Sequence, residues 1–188
     1  GNTAPLKPRA LGQKLLTELF FMAKKVIFYI DGFNFYNGLR NAAKEVDNKP
    51  NSNRWKKFYW IDIVKLCASL LKDDEKLIYV RYFTARPLSK GKRERQNRLL
   101  AVNEYLNNDL IKITYGTYFE KKIECRATCK ETFLQPEEKQ TDVNIASSIL
   151  EDYFTGLCDK TVVITADSDL FPPLKVIHKM NKRMRAEH

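Results

Sequence analysis

Two short apolar runs that each end at an aspartate constrain the fold of this chain most. Residues 26–30 stop at Asp31, and residues 161–165 are followed by Asp167 and Asp169. Both runs are rich in β-branched residues and precede a helical pattern, as buried parallel strands do in α/β proteins. In an open α/β sheet, the ligand crevice lies outside the carboxyl ends of the strands. The sequence therefore predicts that these acids lie around one crevice.

Further strands and helices complete the predicted alternation. We expect strands at residues 77–84 and 111–118, and helices at 33–39, 61–71, 90–106, 141–154 and 170–179. In the helix at 141–154, the predicted apolar face holds Val143, Ala146, Ile149, Leu150 and Tyr153. Residues 41–55 are predicted to form a loop, and residues 124–140 an irregular segment. The order of elements predicts a Rossmann-like three-layer α/β/α sandwich around a mostly parallel sheet.

The length and composition favour one globular domain. With 188 residues, 44% of them hydrophobic, the chain can bury a substantial core. Residues 1–21 begin without methionine and are predicted to be an N-terminal extension, in part a cloning remnant, ahead of a domain at 22–188. No apolar run is long enough to span a bilayer, and the four cysteines follow no signal peptide. We therefore expect a cytoplasmic protein with no membrane partner.

The charge of the chain points to a polyanionic partner. The formal net charge is +10, which raises the expectation of nucleic-acid binding. The start of the predicted helix at residues 90–106 is basic, although the helix dipole favours cations at the other end. Phosphate groups would offset this, so the residues predicted to contact a nucleic-acid backbone are Lys90, Lys92, Arg93, Arg95 and Arg98. A merely solvated basic face is the open alternative.

Four aspartates are the candidates for chemistry. Asp31, Asp167 and Asp169 fall at strand ends, and Asp142 lies in the first turn of a predicted helix. Taken singly, each has a structural explanation as a turn residue, a first-turn acid or an N-cap. Taken together, they suit a hard cation such as Mg²⁺ or Mn²⁺, which prefers oxygen ligands. A water on such a metal can attack a phosphodiester.

Three segments carry a resemblance to a known family. Residues 26–34, 137–144 and 163–170 resemble, in order and spacing, the NYN family of PIN-like ribonuclease domains, in particular its bacterial LabA-like branch. The resemblance implies a PIN-like fold over residues 24–180 and a divalent-metal-dependent endoribonuclease that cleaves single-stranded or structured RNA. It implies catalytic and metal-binding roles for Asp31, Asp142, Asp167 and Asp169, and accessory roles for Asn34 and Ser168. An RNA-binding or regulatory module of the same fold, without catalysis, is the alternative.

Two further possibilities stay open. Cys125 and Cys129 are spaced as one half of a zinc site, and a second chain could complete the four ligands in a homodimer. Free thiols in a loop are the simpler interpretation. A phosphatase of small phosphate esters would also use acids at strand ends. That function is disfavoured because no Asp-x-Asp pair follows the first strand.

Overall fold

The computed structural model describes residues 23–47, 60–124 and 132–186. The strands are β1 (Lys24–Asp31), β2 (Glu75–Ala85), β3 (Ile111–Glu124), β4 (Thr132–Lys139) and β5 (Lys160–Ile164). The helices are α1 (Gly32–Asp47), α2 (Ile63–Ala68), α3 (Lys90–Asn107), α4 (Thr141–Phe154) and α5 (Phe171–Ala186), with short 3₁₀ turns at Asn108–Leu110 and Ser168–Leu170. Among these helices, none has the length and apolarity needed to cross a bilayer.

The strands form one sheet in the order β4-β3-β2-β1-β5. β1 pairs in parallel with β2 and β5, and β2 pairs in parallel with β3. β4 pairs antiparallel with β3 and forms one edge of the sheet. Helices cover both faces, so the predicted α/β fold with a mostly parallel sheet and three layers is confirmed.

The central strand β1 contributes to a core on each face of the sheet. Successive side chains of a strand point to opposite faces. Val26, Phe28 and Ile30 therefore pack in one core, together with residues of α2 and α3. Ile27 and Tyr29 pack in the other, against residues of α4. A strand covered on both sides reads as a continuous apolar run, which is why the sequence identified it.

Two helices extend beyond their predicted ends. Residues 41–47 were predicted to be a loop, but α1 continues through them to Asp47. The run Ala42-Ala-Lys-Glu45 has high helix propensity, which outweighs the neighbouring asparagines. The rest of that predicted loop, to residue 55, lies outside the described residues. The last helix, predicted to end near Lys179, continues to Ala186.

The segment predicted to be irregular at residues 124–140 contains a strand. β4 pairs with β3 in an antiparallel register that places Pro136 opposite Glu120. Proline cannot donate to a ladder, and an edge strand tolerates it because one side of that strand needs no partner. Cys125 and Cys129 lie outside the described residues, so the zinc and homodimer hypotheses stay predictions.

The predicted apolar face of α4 was wrong in part. The buried residues of this helix are Thr141, Ile145, Ile149 and Asp152, whereas Val143 is exposed. Positions 145, 149 and 152 follow helical spacing, so the helix is amphipathic around a face that includes a carboxylate. The apolar pattern alone could not place an acid on that face.

Asp152 is held by a network of donors under the sheet. Its carboxylate accepts hydrogen bonds from Tyr29 Oη at 2.6 Å, Tyr79 Oη at 3.0 Å and Arg81 Nε at 2.7 Å, and Arg81 Nη2 also contacts it. Burial alone would raise the pKa of Asp152, but the hydrogen bonds from Arg81 and Tyr29 and the charge of Arg81 hold it below its ordinary value. We refer to these four residues as the buried polar network.

Candidate functional site

The carboxyl edge of the sheet contains the point where strand order reverses. The chain builds β1, β2 and β3 in one direction and then returns to place β5 on the other side of β1. The crevice of an open α/β sheet lies at such a point. Asp31 is the last residue of β1, and Thr165 directly follows β5. The predicted meeting of these two strand ends is confirmed.

Asp31 is buried and already has several hydrogen-bond donors. Its Oδ1 accepts from the backbone N–H groups of Phe33 and Asn34, both at 3.0 Å. Its Oδ2 accepts from Asn34 Nδ2 and from Thr165 Oγ1, the latter at 3.2 Å. The first pair satisfies orphan N–H groups at the start of α1, and the second joins α1 to the end of β5. Asp31 therefore holds the first turn of α1 in place.

A chain of hydrogen bonds leads from Asp31 to the other predicted acids. Thr165 Oγ1 accepts from Asn34 Nδ2 at 3.2 Å and from the Asp167 backbone N–H at 3.0 Å. Asp167 Oδ1 in turn accepts from the Asp169 backbone N–H at 2.9 Å and caps the short turn Ser168–Leu170. Asp31, Asn34, Thr165, Asp167 and Asp169 form what we call the switch-point network.

The remaining predicted residues lie at the edges of this region. Asp142 is exposed in the first turn of α4, and Ser168 is exposed beside Asp167. Among the described residues, which include all four predicted acids, no three acidic, histidine or cysteine side chains form a group suited to a metal ion. Asp31 also uses both carboxylate oxygens in hydrogen bonds within the protein. The Mg²⁺ or Mn²⁺ site, and the roles assigned to its residues, stay predictions.

A cleft of about 570 Å³ opens beside the switch-point network, between α1 and α3. One wall comes from Phe33, Tyr36, Asn37 and Arg40 of α1, and the facing wall from Lys92, Arg95, Gln96 and Leu99 of α3. Both sets follow the spacing i, i+3, i+4, i+7, which places them on one side of a helix. Tyr82, Thr84 and Ala85 of β2 also line the cleft, as do Leu88 and Tyr118. We call this cavity the basic cleft.

The basic cleft combines positive charge with apolar surface. Arg40, Lys92 and Arg95 are exposed, and the described residues that line the cleft include no acid. The side chains of Phe33 and Leu88 are 62% and 55% exposed, although both are large and apolar. Exposed apolar surface beside uncompensated charge is typical of a binding site rather than of a solvated face.

Tyr82 and Gly32 fix the position of α1 at this cleft. A Cβ on Gly32 would lie 2.6 to 2.7 Å from ring atoms of Tyr82, so the helix can begin this close to β2 only with glycine. Burial raises the pKa of Tyr82, and the nearby charge of Asp31 raises it further. The phenol is therefore neutral at physiological pH.

The structure separates the five basic residues that were predicted to contact RNA. Lys92 and Arg95 line the basic cleft. Arg93 instead donates from Nε to the Pro87 carbonyl and from Nη2 to the Leu88 carbonyl, both at 3.1 Å. Lys90 and Arg98 are exposed outside the lining. RNA as a partner stays a prediction for all five.

Sequence reasoning missed the wall from α1 and Gln96. The signal was present, because positions 33, 36, 37 and 40 and positions 92, 95, 96 and 99 each mark one helical face. Counting helical spacing within the basic run would have divided it into residues facing the cleft and residues facing solvent.

Comparison with known proteins gives one distant relative with a named activity. The chain is 27% identical over 181 aligned residues to 6-hydroxy-3-succinoylpyridine 3-monooxygenase HspA of Pseudomonas putida (strain DSM 28022 / S16), with 79% of this chain and 54% of the relative covered. The chain thus spans about half the length of that relative. No family model matches the chain, and no solved structure matches it. The resemblance to the NYN family stays a prediction.

This relative contradicts the predicted function. Its name is that of a monooxygenase acting on a pyridine, which is neither an endoribonuclease nor an RNA-binding module without catalysis. We correct the predicted function accordingly. The physical reason for the error is that acids at the carboxyl ends of parallel strands are a property of the fold, and one fold supports many reactions.

Proposed function

We propose that this chain is an enzyme acting on a small aromatic carboxylate, and that the basic cleft binds this substrate. The observation that carries the proposal is the composition of the cleft, in which three cations and exposed aromatic rings face each other without an acid among the described lining residues. A volume of about 570 Å³ suits a small molecule with one or two rings.

The charges of the cleft favour an anionic ligand. Arg40, Lys92 and Arg95 come from facing helices, so a carboxylate between them would be attracted from both sides. Apolar walls exclude water and strengthen such attraction compared with an open surface. Ser89, the residue before α3, also lines the cleft, which places the positive end of the helix dipole nearby.

The aromatic walls favour a ring. Phe33 and Tyr36 lie one turn apart on α1, and both are exposed. A flat ligand that covers them removes apolar surface from water, at about 25 cal/mol for each Å². Stacking against the rings adds about 0.5–1.5 kcal/mol. The substrate named for the relative, a hydroxypyridine with a succinoyl chain, combines a ring with a carboxylate and belongs to the same chemical class.

The reaction that we propose is insertion of one oxygen atom into a C–H bond of the ring, and its support is the name of the relative alone. Such a reaction consumes O₂, two electrons and two protons, and it yields a ring hydroxyl and water. The residues of this chain would bind the carboxylate and orient the ring within the cleft. The switch-point network would keep the start of α1, and therefore Phe33, in place.

Calorimetric titration with nicotinate, 6-hydroxynicotinate and nicotinamide tests the site. We expect both carboxylates to bind and the neutral amide to bind at least tenfold more weakly, because it lacks the charge. Lys92→Gln and Arg95→Gln should each weaken carboxylate binding about fivefold, which corresponds to about 1 kcal/mol. Arg98→Gln, on the same helix outside the cleft lining, is the matched control and should leave binding unchanged.

Equal binding of the amide would overturn the proposed site. So would an RNA oligonucleotide that binds tightly and is not displaced by either carboxylate, since the cations would then serve a polymer.

Incubation with ¹⁸O₂ and NADH as the two-electron donor tests the reaction. We expect the ring product to carry one ¹⁸O atom. A product whose new oxygen atom is unlabelled, and therefore comes from water, would overturn oxygenation while leaving the proposed binding site intact.

A further inference from the structure

The side-chain amide of Gln96 has an unused acceptor in the wall of the basic cleft. Its Nε2 donates to Thr84 Oγ1 at 2.9 Å and to the Ala85 carbonyl at 3.1 Å. Its Oε1 is closed to solvent, and no donor of the described part of the chain reaches it. A buried acceptor without a donor destabilises a protein by the desolvation of that atom. Such an atom in a native structure calls for an explanation.

The orientation of the amide is determined by its partners. Rotating the amide by 180° would place Oε1 against the Ala85 carbonyl, which can only accept a hydrogen bond. Two acceptors would then face each other and Nε2 would lose that partner. The oxygen is therefore the atom of the amide that is left without a donor.

Gln96 lies on the same wall of the basic cleft as Lys92, so its Oε1 is close to the place where we propose that the ligand binds. Gln96 lies four residues after Lys92 and three before Leu99 on the wall contributed by α3. Residues three or four apart on a helix have Cβ atoms about 5–6 Å apart. A ring whose carboxylate contacts Lys92 can therefore bring a substituent next to Gln96. Oε1 is closed to solvent, so a substituent would reach it only if side chains of the lining, of which Leu88 and Lys92 are exposed, change position.

We propose that Gln96 is a specificity-determining residue, whose Oε1 accepts a hydrogen bond from an N–H or O–H donor on the ring of the bound carboxylate. This inference rests on the proposed function, because it concerns a ligand in the same cleft. It narrows the substrate class to aromatic carboxylates that carry a hydroxyl, or its lactam N–H form. A ring without a donor would leave Oε1 unsatisfied and would bind less well.

Matched ligand pairs test the proposal on the wild-type protein. Calorimetry should give about tenfold tighter binding of 6-hydroxynicotinate than of nicotinate. The pair 4-hydroxybenzoate and benzoate should show the same preference, which excludes the ring nitrogen as its cause. If neither member of either pair binds, both the proposed function and this inference are overturned. If both members bind equally, the proposed function stands and the role of Gln96 is overturned.

Two variants separate recognition from structure. Gln96→Met keeps the length of the side chain and removes both polar atoms, so the ratio of the two affinities within each ligand pair should fall to within twofold. Arg95→Gln is the control, because it should weaken every carboxylate and preserve the preference. If Gln96→Met fails to fold, the wild-type comparison of the pairs still decides the matter. A folded Gln96→Met protein that keeps the tenfold preference would overturn the proposal.

Discussion

The two faces of the sheet treat charged residues in opposite ways. On one face, the charge of Arg81 meets the carboxylate of Asp152, which is fully buried and also receives two tyrosine hydroxyls. On the other, Arg40, Lys92 and Arg95 surround a cleft without an acid among its described lining residues. The carboxylate of the first arrangement is neutralised within the protein, whereas the described lining of the cleft offers its cations no carboxylate. We therefore expect the buried charges around Asp152 to contribute to stability, and the cations of the cleft to contribute to the binding that we propose.

The largest effect that tests this contrast is expected from Asp152→Asn. The substitution keeps the shape of the side chain but leaves the guanidinium of Arg81 buried without a counter-charge. Loss of one partner of a buried pair costs about 3–5 kcal/mol. Urea denaturation at neutral pH measures the free energy of unfolding. Glu151→Gln, at the exposed neighbouring position of α4, is the matched control and should change it by less than about 0.5 kcal/mol.

The pH dependence of stability provides a second reading of the same substitution. The pKa of Asp152 in the folded protein lies below the ordinary value of 3.8. Its contribution to the free energy of unfolding is therefore complete above pH 3.8 and is lost as the pH falls through the pKa of the folded state. Denaturation curves in acid should show a smaller loss for Asp152→Asn than for the wild type. If both proteins lost the same stability in acid, the ionised carboxylate of Asp152 would not be stabilising the fold.

An intermediate effect is expected where the cleft depends on packing rather than charge. Gly32→Ala would bring a methyl group within 2.7 Å of the Tyr82 ring and should destabilise the fold by about 1–3 kcal/mol. Gly38→Ala is the control within the same helix, because no described atom lies within 4 Å of the added methyl. It should stabilise by about 0.5–1 kcal/mol. Thermal unfolding of both variants checks the difference, and equal shifts would contradict the close approach of α1 to β2.

The smallest effect on stability is expected from the cations of the cleft. Arg40→Gln, Lys92→Gln and Arg95→Gln should each change the free energy of unfolding by no more than about 0.5 kcal/mol. Removing one of several like charges relieves repulsion, so a slight gain at low salt is the expected sign. A loss above about 1 kcal/mol in denaturant titrations would show that the cation has a structural partner, and the contrast between the two faces would fail.

The sequence predicted the sheet better than the cleft. The strands at 26–30 and 161–165 were identifiable because burial on both faces makes them continuous apolar runs. The C-terminal ends of α1 and α5 were harder to predict, because helix propensity near an end competes with turn-forming neighbours. The strand β4 was hidden because its ladder forms with β3 and its sequence contains Pro136, which only an edge position accepts.

The candidate site could be predicted only in the parts that follow from topology. Asp31 and Asp167 were placed together because parallel strands bring their carboxyl ends to one edge. The basic cleft depends on the approach of α1 to α3, which are distant in the sequence and share no local pattern. Asp152 shows the same limit, because a carboxylate within a helix is usually solvated and only Arg81 and the two tyrosines make its burial favourable.

The placement of β5 beside β1 has a consequence for synthesis of the protein. Asp31 and Thr165 contact each other across 134 residues, so a ribosome releases the first strand of the site long before its partner. Until then, Asp31 can hold the start of α1, but the edge of β1 that pairs with β5 has no partner strand. Contacts of such sequence separation form slowly. The switch-point network can therefore be completed only after β5 has been synthesised, and a nascent chain that stops before residue 160 leaves one edge of β1 without a partner strand, which favours aggregation.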